Sequence, residues 1–188
     1  MTSRITTAAG ILGAITSAIT AGVYADFSAR IMPSYGRMAN ATGIAKMQSI
    51  NRSIENGPFM LAFCGAGLAG GYLVFRVLRG ERALSDVLLA AGGSAYLAGL
   101  LLTMVYNVPL NNRLAAADPH AASTVELWRD YLQNWTAANT VRAVLSAAAV
   151  GLIIVGLVVG LVVGARARTN PVDAPSSLGD PVAVRGSR

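Results

Sequence analysis

Several side chains that form strong hydrogen bonds occur within or beside long uncharged segments of this 188-residue chain. They are carboxamides and one arginine: Gln48, Asn51, Asn107, Asn111, Asn139 and Arg142. Amide N–H groups and a guanidinium can donate hydrogen bonds to an oxygen that becomes negative during a reaction. In apolar surroundings such groups must be bonded, so they usually face a bundle interior or a cavity. These residues are candidates either for the polar wall of a pocket that opens to the non-cytoplasmic interface or for a hydrogen-bond network that locks helices together.

Aromatic residues precede Arg142 at helical spacing. Trp128, Tyr131 and Trp135 stand at positions i, i+3 and i+7, and Trp135, Asn139 and Arg142 stand at i, i+4 and i+7. If the helix is continuous, both sets project from one side of it. Such a surface could form part of a pocket wall, although Trp and Tyr are also common where helices meet the membrane interface. These residues alone leave both interpretations open.

No general base stands out by its spacing. The candidates are the ionisable residues near the same segments: Asp26, Glu55, Asp130 and His120. His120 is the single histidine and Cys64 the single cysteine, too few for a closed His/Cys zinc site within one chain. These counts do not exclude a metal site that is rich in carboxylates or shared between subunits.

The elements that must position these residues are long apolar segments. A charged fraction of 13% and a mean hydropathy of +0.52 indicate an integral membrane protein. A helix needs roughly 20 residues to cross a hydrocarbon core, and in lipid the backbone must bond internally. The predicted spans are about 5–28, 57–77, 85–107 and 137–165, within a domain of residues 1–168. The predicted fold class is an all-α membrane protein, a bundle of four transmembrane helices.

Two longer loops lie on one side of this bundle, and each is predicted to contain a short interfacial helix. In the first loop, Pro33 and Ser34 are expected to end the first helix, and apolar residues recur at helical spacing within 37–55. In the second, 123–133 begins with Ser123 and Glu126 at the capping-box spacing. Residues 169–188, rich in Pro, Ser, Gly and Asp, are predicted to be a disordered cytoplasmic tail.

Arginine placement predicts the orientation. Arg4, the arginines of the turn 76–86, and Arg166 with Arg168 fall on one side, which we take as cytoplasmic. Both termini are then inside. A single lysine against fourteen arginines, with abundant alanine and glycine, suggests a GC-rich bacterial genome, and the expected location is then the bacterial cytoplasmic membrane. The net charge is +6, but basic residues of a membrane protein usually flank its spans. No nucleic-acid partner is therefore expected. The apolar segment after Arg4 is long for a signal peptide, and we expect it to remain as a span.

Small residues in two spans predict close helix packing. The stretch from Gly65 to Gly70 matches GxGxxG, but it lies inside a predicted span with no preceding strand, so a nucleotide site is not expected. Gly156, Gly160 and Gly164 recur every four residues on the last span. Such a stripe lets two backbones approach closely and predicts a homodimer through the last helix.

The order and spacing of several motifs resemble the anthrone oxygenase-like membrane family. As they stand here, the motifs are DFSARIMP from Asp26, MQSIN from Met47, GPF from Gly57, NVPLN from Asn107 and WRDY from Trp128, followed by Trp135, Asn139 and Arg142. The resemblance covers about residues 5–164. It implies a four-helix membrane protein, and fungal members of the family are associated with oxidising anthrones to anthraquinones without a dedicated organic cofactor.

The resemblance also implies roles for the residues. An anthrone is acidic at its benzylic carbon, and its enolate can meet oxygen directly, so a protein needs to bind the ring and stabilise the oxyanion. Asn107, Asn111 and Arg142 would then be catalytic. The substrate-binding residues would be Gln48, Asn51, Trp128, Tyr131, Trp135 and Asn139. No cofactor or metal is predicted, and molecular oxygen would be the co-substrate.

Two function classes therefore stand side by side. The first is an oxygenase-like enzyme acting on a hydrophobic aromatic or quinone-like small molecule at the membrane interface. The second is a non-catalytic membrane protein that binds membrane lipid or another apolar ligand, or serves as a structural partner subunit. Transport is a weaker third interpretation, which would require an oligomer of four-span chains.

Overall fold

The computed structural model describes residues 3–54 and 57–169, and within them the chain is an all-α membrane bundle, as predicted. Four helices are long and apolar enough to cross a membrane. We number all the helices in chain order: α1 (Arg4–Gly36), α2 (Asn40–Ile54), α3 (Pro58–Leu78), α4 (Leu84–Ala115) and α5 (Thr124–Thr169). The predicted tail lies outside the described residues, except that Thr169 ends α5.

The four spanning helices pack as a closed ring. α1 contacts α3, α3 contacts α4, α4 contacts α5, and α5 returns to α1. Large apolar side chains point outward from each of them, for example Ile15, Leu68, Leu101 and Val163. This outward apolar surface suits lipid as the solvent of the bundle.

The helices cross closely where glycines face each other. A Cβ atom added to Gly93 of α4 would lie 2.6 Å from the carbonyl oxygen of Gly70 in α3. The GxGxxG stretch thus includes a close helix crossing. On α5, a Cβ on Gly156 would lie 3.0 Å from Leu89 Cγ. At Gly156 the small-residue stripe of α5 therefore packs against another helix of the same chain. A homodimer through Gly160 and Gly164 stays a prediction.

α1 and α4 each contain a widened π-helical turn just before a proline. The two turns are Phe27–Ile31 and Thr103–Asn107, and the prolines are Pro33 and Pro109. Proline has no N–H and clashes with the carbonyl four residues earlier, which in both helices falls inside the π-helical turn. The widening accommodates the proline. The expectation that Pro33 and Ser34 end the first helix is therefore wrong, because α1 continues to Gly36.

The segment expected to form a second interfacial helix, 123–133, is instead the first part of α5. Residues 124–150 contain neither proline nor glycine, so nothing interrupts the helix before it enters the span. At 46 residues α5 is about 69 Å long, more than twice the hydrocarbon thickness. The face carrying Trp128, Trp135 and Arg142 is consequently one continuous surface.

α2 lies across the end of the bundle that α5 enters. Its buried residues include Ile44 and Met47, which pack against Trp128 and Leu114. At the opposite end, Arg76 of α3 pairs with Asp86 of α4 at 3.0 Å and bonds Thr6 of α1. Each end of the ring is thus tied by side chains from different helices.

Candidate functional site

A cavity of about 160 Å³ lies among the helices near the α2 end of the bundle. Its wall is mainly apolar and includes the aromatic rings of Phe27, Phe59 and Phe63. Its polar wall consists of Tyr24, Asn51, Thr103, Asn111, Asn139 and Arg142. The two π-helical turns contribute Phe27 and Thr103, so the widened parts of α1 and α4 form part of the cavity. An apolar cavity with a few convergent polar groups is the usual form of a small-molecule site.

Arg142 is the main charged group of this cavity. Its side chain is only 4% exposed, and its Nη1 and Nη2 donate to Thr103 Oγ1 (3.2 Å) and Asn139 Oδ1 (2.8 Å). Its Nε is buried without a hydrogen-bond partner. Among the described residues, the ion pairs involve Arg30 and Arg76 but not Arg142. A buried guanidinium without a carboxylate partner is electrostatically uncompensated, so a negatively charged ligand would stabilise it.

Aromatic faces surround the Arg142 cation. Its Cζ lies 4.3 Å from the ring centroid of Tyr24 and 5.3 Å from that of Trp135. A ring face attracts a cation through its quadrupole, and this attraction strengthens when water is excluded. The rings therefore stabilise the guanidinium without neutralising it.

Asn139 positions Arg142. It is fully buried, and its Nδ2 donates to the backbone oxygen of Tyr24 (2.6 Å) and to Ser28 Oγ (2.7 Å). Its remaining oxygen accepts from Arg142, so all of the polar atoms of the amide are used. Asn139 thus connects α1 to the guanidinium at the point where α1 widens.

A stack of three rings on α5 leads to Asn111. The Trp128 and Tyr131 centroids are 5.7 Å apart and the Tyr131 and Trp135 centroids 5.8 Å apart, with near-parallel planes. Tyr131 Oη and Trp135 Nε1 both donate to Asn111 Oδ1, at 2.8 and 2.7 Å. Because both bonds use the oxygen of Asn111, its NH₂ group is left for a ligand in the cavity.

Asn51 brings a second amide to the cavity from α2. It is 8% exposed, and its Nδ2 is buried beside the Tyr131 hydroxyl, with no partner at ordinary hydrogen-bond distance. A buried donor left unbonded costs about 1–3 kcal/mol. That cost would be relieved by a ligand that accepts a hydrogen bond from Asn51.

Of the residues predicted for the site, five line the cavity: Asn51, Asn111, Trp135, Asn139 and Arg142. The other four are Gln48, Asn107, Trp128 and Tyr131, and they lie behind its wall. Tyr131 reaches the cavity through Asn111, and Trp128 is stacked behind Tyr131.

The two predicted amides that do not line the cavity, Gln48 and Asn107, donate hydrogen bonds to backbone carbonyl groups. Gln48 Nε2 donates to the oxygens of Leu114 (2.8 Å) and Ala117 (2.9 Å) at the end of α4, where helix carbonyls lack partners. Asn107 Nδ2 donates to the oxygen of Trp135 at 3.3 Å. Both contacts fasten one helix to another.

The structure describes three of the four candidate bases, and all three lie away from the cavity. Asp26 pairs with Arg30 on the surface at 3.1 Å, and Asp130 and His120 are exposed. Glu55 lies outside the described residues. Within the described part of the chain, His, Cys, Asp and Glu side chains do not gather in groups of three or more that could hold a metal.

Tyr24 and Thr103 both contact Arg142, although no spacing in the sequence indicates these contacts. Both are far from Arg142 in sequence and reach it only because α1 and α4 pack against α5. One local signal was available for Thr103, which is a hydroxyl residue four positions before Asn107 within the predicted third span. Phe27 and Phe59 lie within the sequence motifs, but no chemistry distinguishes them from core residues.

A model of the family described as anthrone oxygenase matches residues 50–152, more than half of the chain. The matched segment runs from the end of α2 into the membrane-spanning part of α5. It contains all five of the predicted residues that line the cavity. Searches of curated proteins and of solved structures gave no match.

Proposed function

The chain belongs to the anthrone oxygenase family, and we propose that it is a membrane oxygenase of a hydrophobic aromatic or quinone-like molecule, with molecular oxygen as co-substrate. The observation that carries this proposal is the buried Arg142 guanidinium, which faces an apolar cavity and has no carboxylate partner among the described residues. Such a group favours a ligand that is flat and apolar but becomes negatively charged at one oxygen.

The aromatic wall accounts for ring binding. The Trp135 and Phe27 centroids are 5.7 Å apart, and the Phe59 and Phe63 rings are stacked at 6.0 Å across the same cavity. A flat ligand gains both apolar burial and ring stacking against such side chains. We therefore assign substrate binding to the lining residues Trp135, Phe27 and Phe59.

The polar wall accounts for activation. A ring ketone with an acidic benzylic CH₂ loses one proton to form an enolate, and Arg142 stabilises the resulting oxyanion. The NH₂ groups of Asn111 and Asn51 are placed to donate to the same ligand. Arg142 lowers the pKa of the bound ketone, and the proton passes to solvent, because the described residues lining the cavity include neither a carboxylate nor an imidazole. The catalytic group is therefore Arg142, assisted by Asn111 and Asn51.

The overall reaction balances without another reductant. The enolate carbon transfers electrons to molecular oxygen and forms a carbon–oxygen bond, and loss of water then leaves a second carbonyl. In sum, one CH₂ and one O₂ become one C=O and one H₂O. The protein binds the ring, favours the enolate and excludes bulk water. No organic cofactor is needed for this sequence of steps.

Oxygen uptake by the detergent-purified protein supplied with a simple anthrone tests this function. We expect protein-dependent uptake with quinone formation, and its loss in Arg142→Gln. Arg129→Gln removes the same charge from an exposed site on the same helix and is the matched control. Equal rates in the wild type and in protein-free detergent would reject an anthrone as the substrate. Equal rates in the two variants would reject the role of Arg142.

A second function is binding of a hydrophobic anion without turnover. It is favoured by one observation, namely that the described residues lining the cavity include neither a carboxylate nor an imidazole. Quenching of the tryptophan fluorescence of the protein, to which Trp128 and Trp135 both contribute, by an anthraquinone would measure binding directly. Saturable quenching that is lost in Arg142→Gln, with no oxygen uptake by the wild type, would favour this second function.

We infer that the protein lies in a bacterial cytoplasmic membrane with both termini in the cytoplasm. The support is the density of arginine at the end that holds Arg4, Arg76, Arg79 and Arg168. A reporter protein that is active only in the cytoplasm, fused at the C-terminus, tests the orientation. An active fusion is expected, and activity only of a periplasmic reporter at the same position would reverse the assignment.

A further inference from the structure

A second cavity lies at the opposite end of the bundle, between the beginning of α1 and the end of α5. Its volume is about 360 Å³. α1 contributes Arg4, Thr7 and Ile11, and α5 contributes Gly160, Gly164 and Arg168. None of these residues belongs to the Arg142 site. We call this cavity the α1–α5 groove.

The part of the α1–α5 groove that lies away from Arg4 and Arg168 is apolar and open to lipid. Ile11 and Leu161 on its walls are 49% and 65% exposed. Gly164 has no side chain to fill the floor, and a Cβ atom added there would meet nothing within 4 Å. A groove of this kind on the surface of a membrane bundle provides space for an acyl chain.

The mouth of the α1–α5 groove is positively charged. Arg4 and Arg168 are exposed, and neither is in an ion pair with a described residue, whereas Arg76 nearby pairs with both Glu81 and Asp86. Arg4 is the first residue of α1 and Arg168 lies in the last turn of α5, so the opposite partial charges of the two helix ends offset each other and the two arginines supply the net positive charge. The mouth therefore complements a negatively charged phosphate.

We propose that the α1–α5 groove binds one anionic phospholipid. The phosphate lies between Arg4 and Arg168, and one acyl chain follows the floor formed by Gly160 and Gly164, where it competes with the homodimer contact predicted through the same glycines. A free phosphate would leave the apolar floor unused, and a zwitterionic lipid would place a second positive charge beside the arginines. Basic pockets between helices at the cytoplasmic surface are typical of lipid-headgroup recognition.

Native mass spectrometry of the full chain tests the headgroup contact. The protein is extracted from vesicles of equal parts phosphatidylglycerol and phosphatidylcholine, and the retained lipid is counted. We expect one retained phosphatidylglycerol, with about fivefold loss of retention in Arg4→Gln and in Arg168→Gln. Arg166→Gln is the matched control, because it removes the same charge two residues from Arg168 but outside the groove. Equal retention of both lipids, or an equal loss in Arg166→Gln, would overturn the proposal.

A second pair of variants tests the acyl-chain contact without changing charge. Gly164→Leu fills the floor of the groove, whereas Gly151→Leu adds the same side chain at an open position on α5 outside it. We expect only Gly164→Leu to lower retention of phosphatidylglycerol. If both variants bind as the wild type does, the acyl chain does not lie in the groove and the proposal fails.

Discussion

The guanidinium of Arg142 lies over the ring of Tyr24, with its Cζ 4.3 Å from the ring centroid. This contact joins α5 to α1 just before α1 widens at Phe27. A carboxylate at the same place would form an ion pair and cancel the charge. An aromatic face stabilises the cation but leaves its N–H groups and its charge available. The pair explains how a cation can stay buried in a membrane protein and still attract an anionic ligand.

Replacing Arg142 by Met should separate function from stability. Removal of a buried, unpaired charge relieves its desolvation cost, while Asn139 and Thr103 each lose one hydrogen bond and the contacts of the cation with the Tyr24 and Trp135 rings are lost. The melting temperature in detergent should stay within about 3 °C of the wild type, or rise, because these effects nearly cancel. Oxygen uptake should fall by about 100-fold, as is usual when an oxyanion donor is lost. A large drop in melting temperature would instead indicate a structural role for Arg142.

A carboxylate placed beside Arg142 should block the anion site. Thr103→Asp puts an acid where Thr103 Oγ1 now accepts from Arg142 Nη1. The new ion pair would compete with the substrate oxyanion, so KM should rise by about tenfold or more. Thr103→Ser retains the hydroxyl and should behave as the wild type does. Unchanged KM in Thr103→Asp would show that the substrate does not use the charge of Arg142.

Gln48 should matter for stability and not for turnover. Gln48→Ala removes the two hydrogen bonds to Leu114 and Ala117 and leaves carbonyl groups without partners, which should cost about 2 kcal/mol. Thermal unfolding in detergent measures the loss, and the exposed Gln133→Ala is the control. If folded Gln48→Ala protein lost its oxygen uptake, Gln48 would contribute to substrate binding and not only to stability.

The α3–α4 crossing should not tolerate a methyl group. In Gly93→Ala the new Cβ would lie 2.6 Å from the Gly70 oxygen, so the helices must separate, and we expect destabilisation of about 2 kcal/mol or more. Gly71→Ala adds the same methyl group where nothing lies within 4 Å, and its higher helix propensity should make it neutral or slightly stabilising. Equal melting temperatures for both variants would contradict this account of the crossing.

The number and type of the spanning elements follow from sequence alone. Uncharged segments of sufficient length must be helices in lipid, because no other backbone arrangement satisfies their hydrogen bonds. The face of α5 that carries Trp135, Asn139 and Arg142 also follows from sequence, since helical periodicity determines it wherever the helix is unbroken. The continuity of α5 through residue 124 is a local property as well, although the capping-box signal favoured a separate short helix.

Tertiary structure decided which amides face the cavity. Gln48 and Asn51 are three residues apart on α2, and sequence treats them alike, yet Gln48 bonds carbonyl groups at the end of α4 while Asn51 faces the cavity. The same holds for Asn107 and Asn111 on α4. An amide bonds whichever groups the packing brings within about 3 Å, and that distance depends on helices distant in sequence. The partnership of Tyr24 with Arg142 has the same origin. It exists only because α1 packs against α5 where the π-helical turn begins, a geometry that no local pattern specifies.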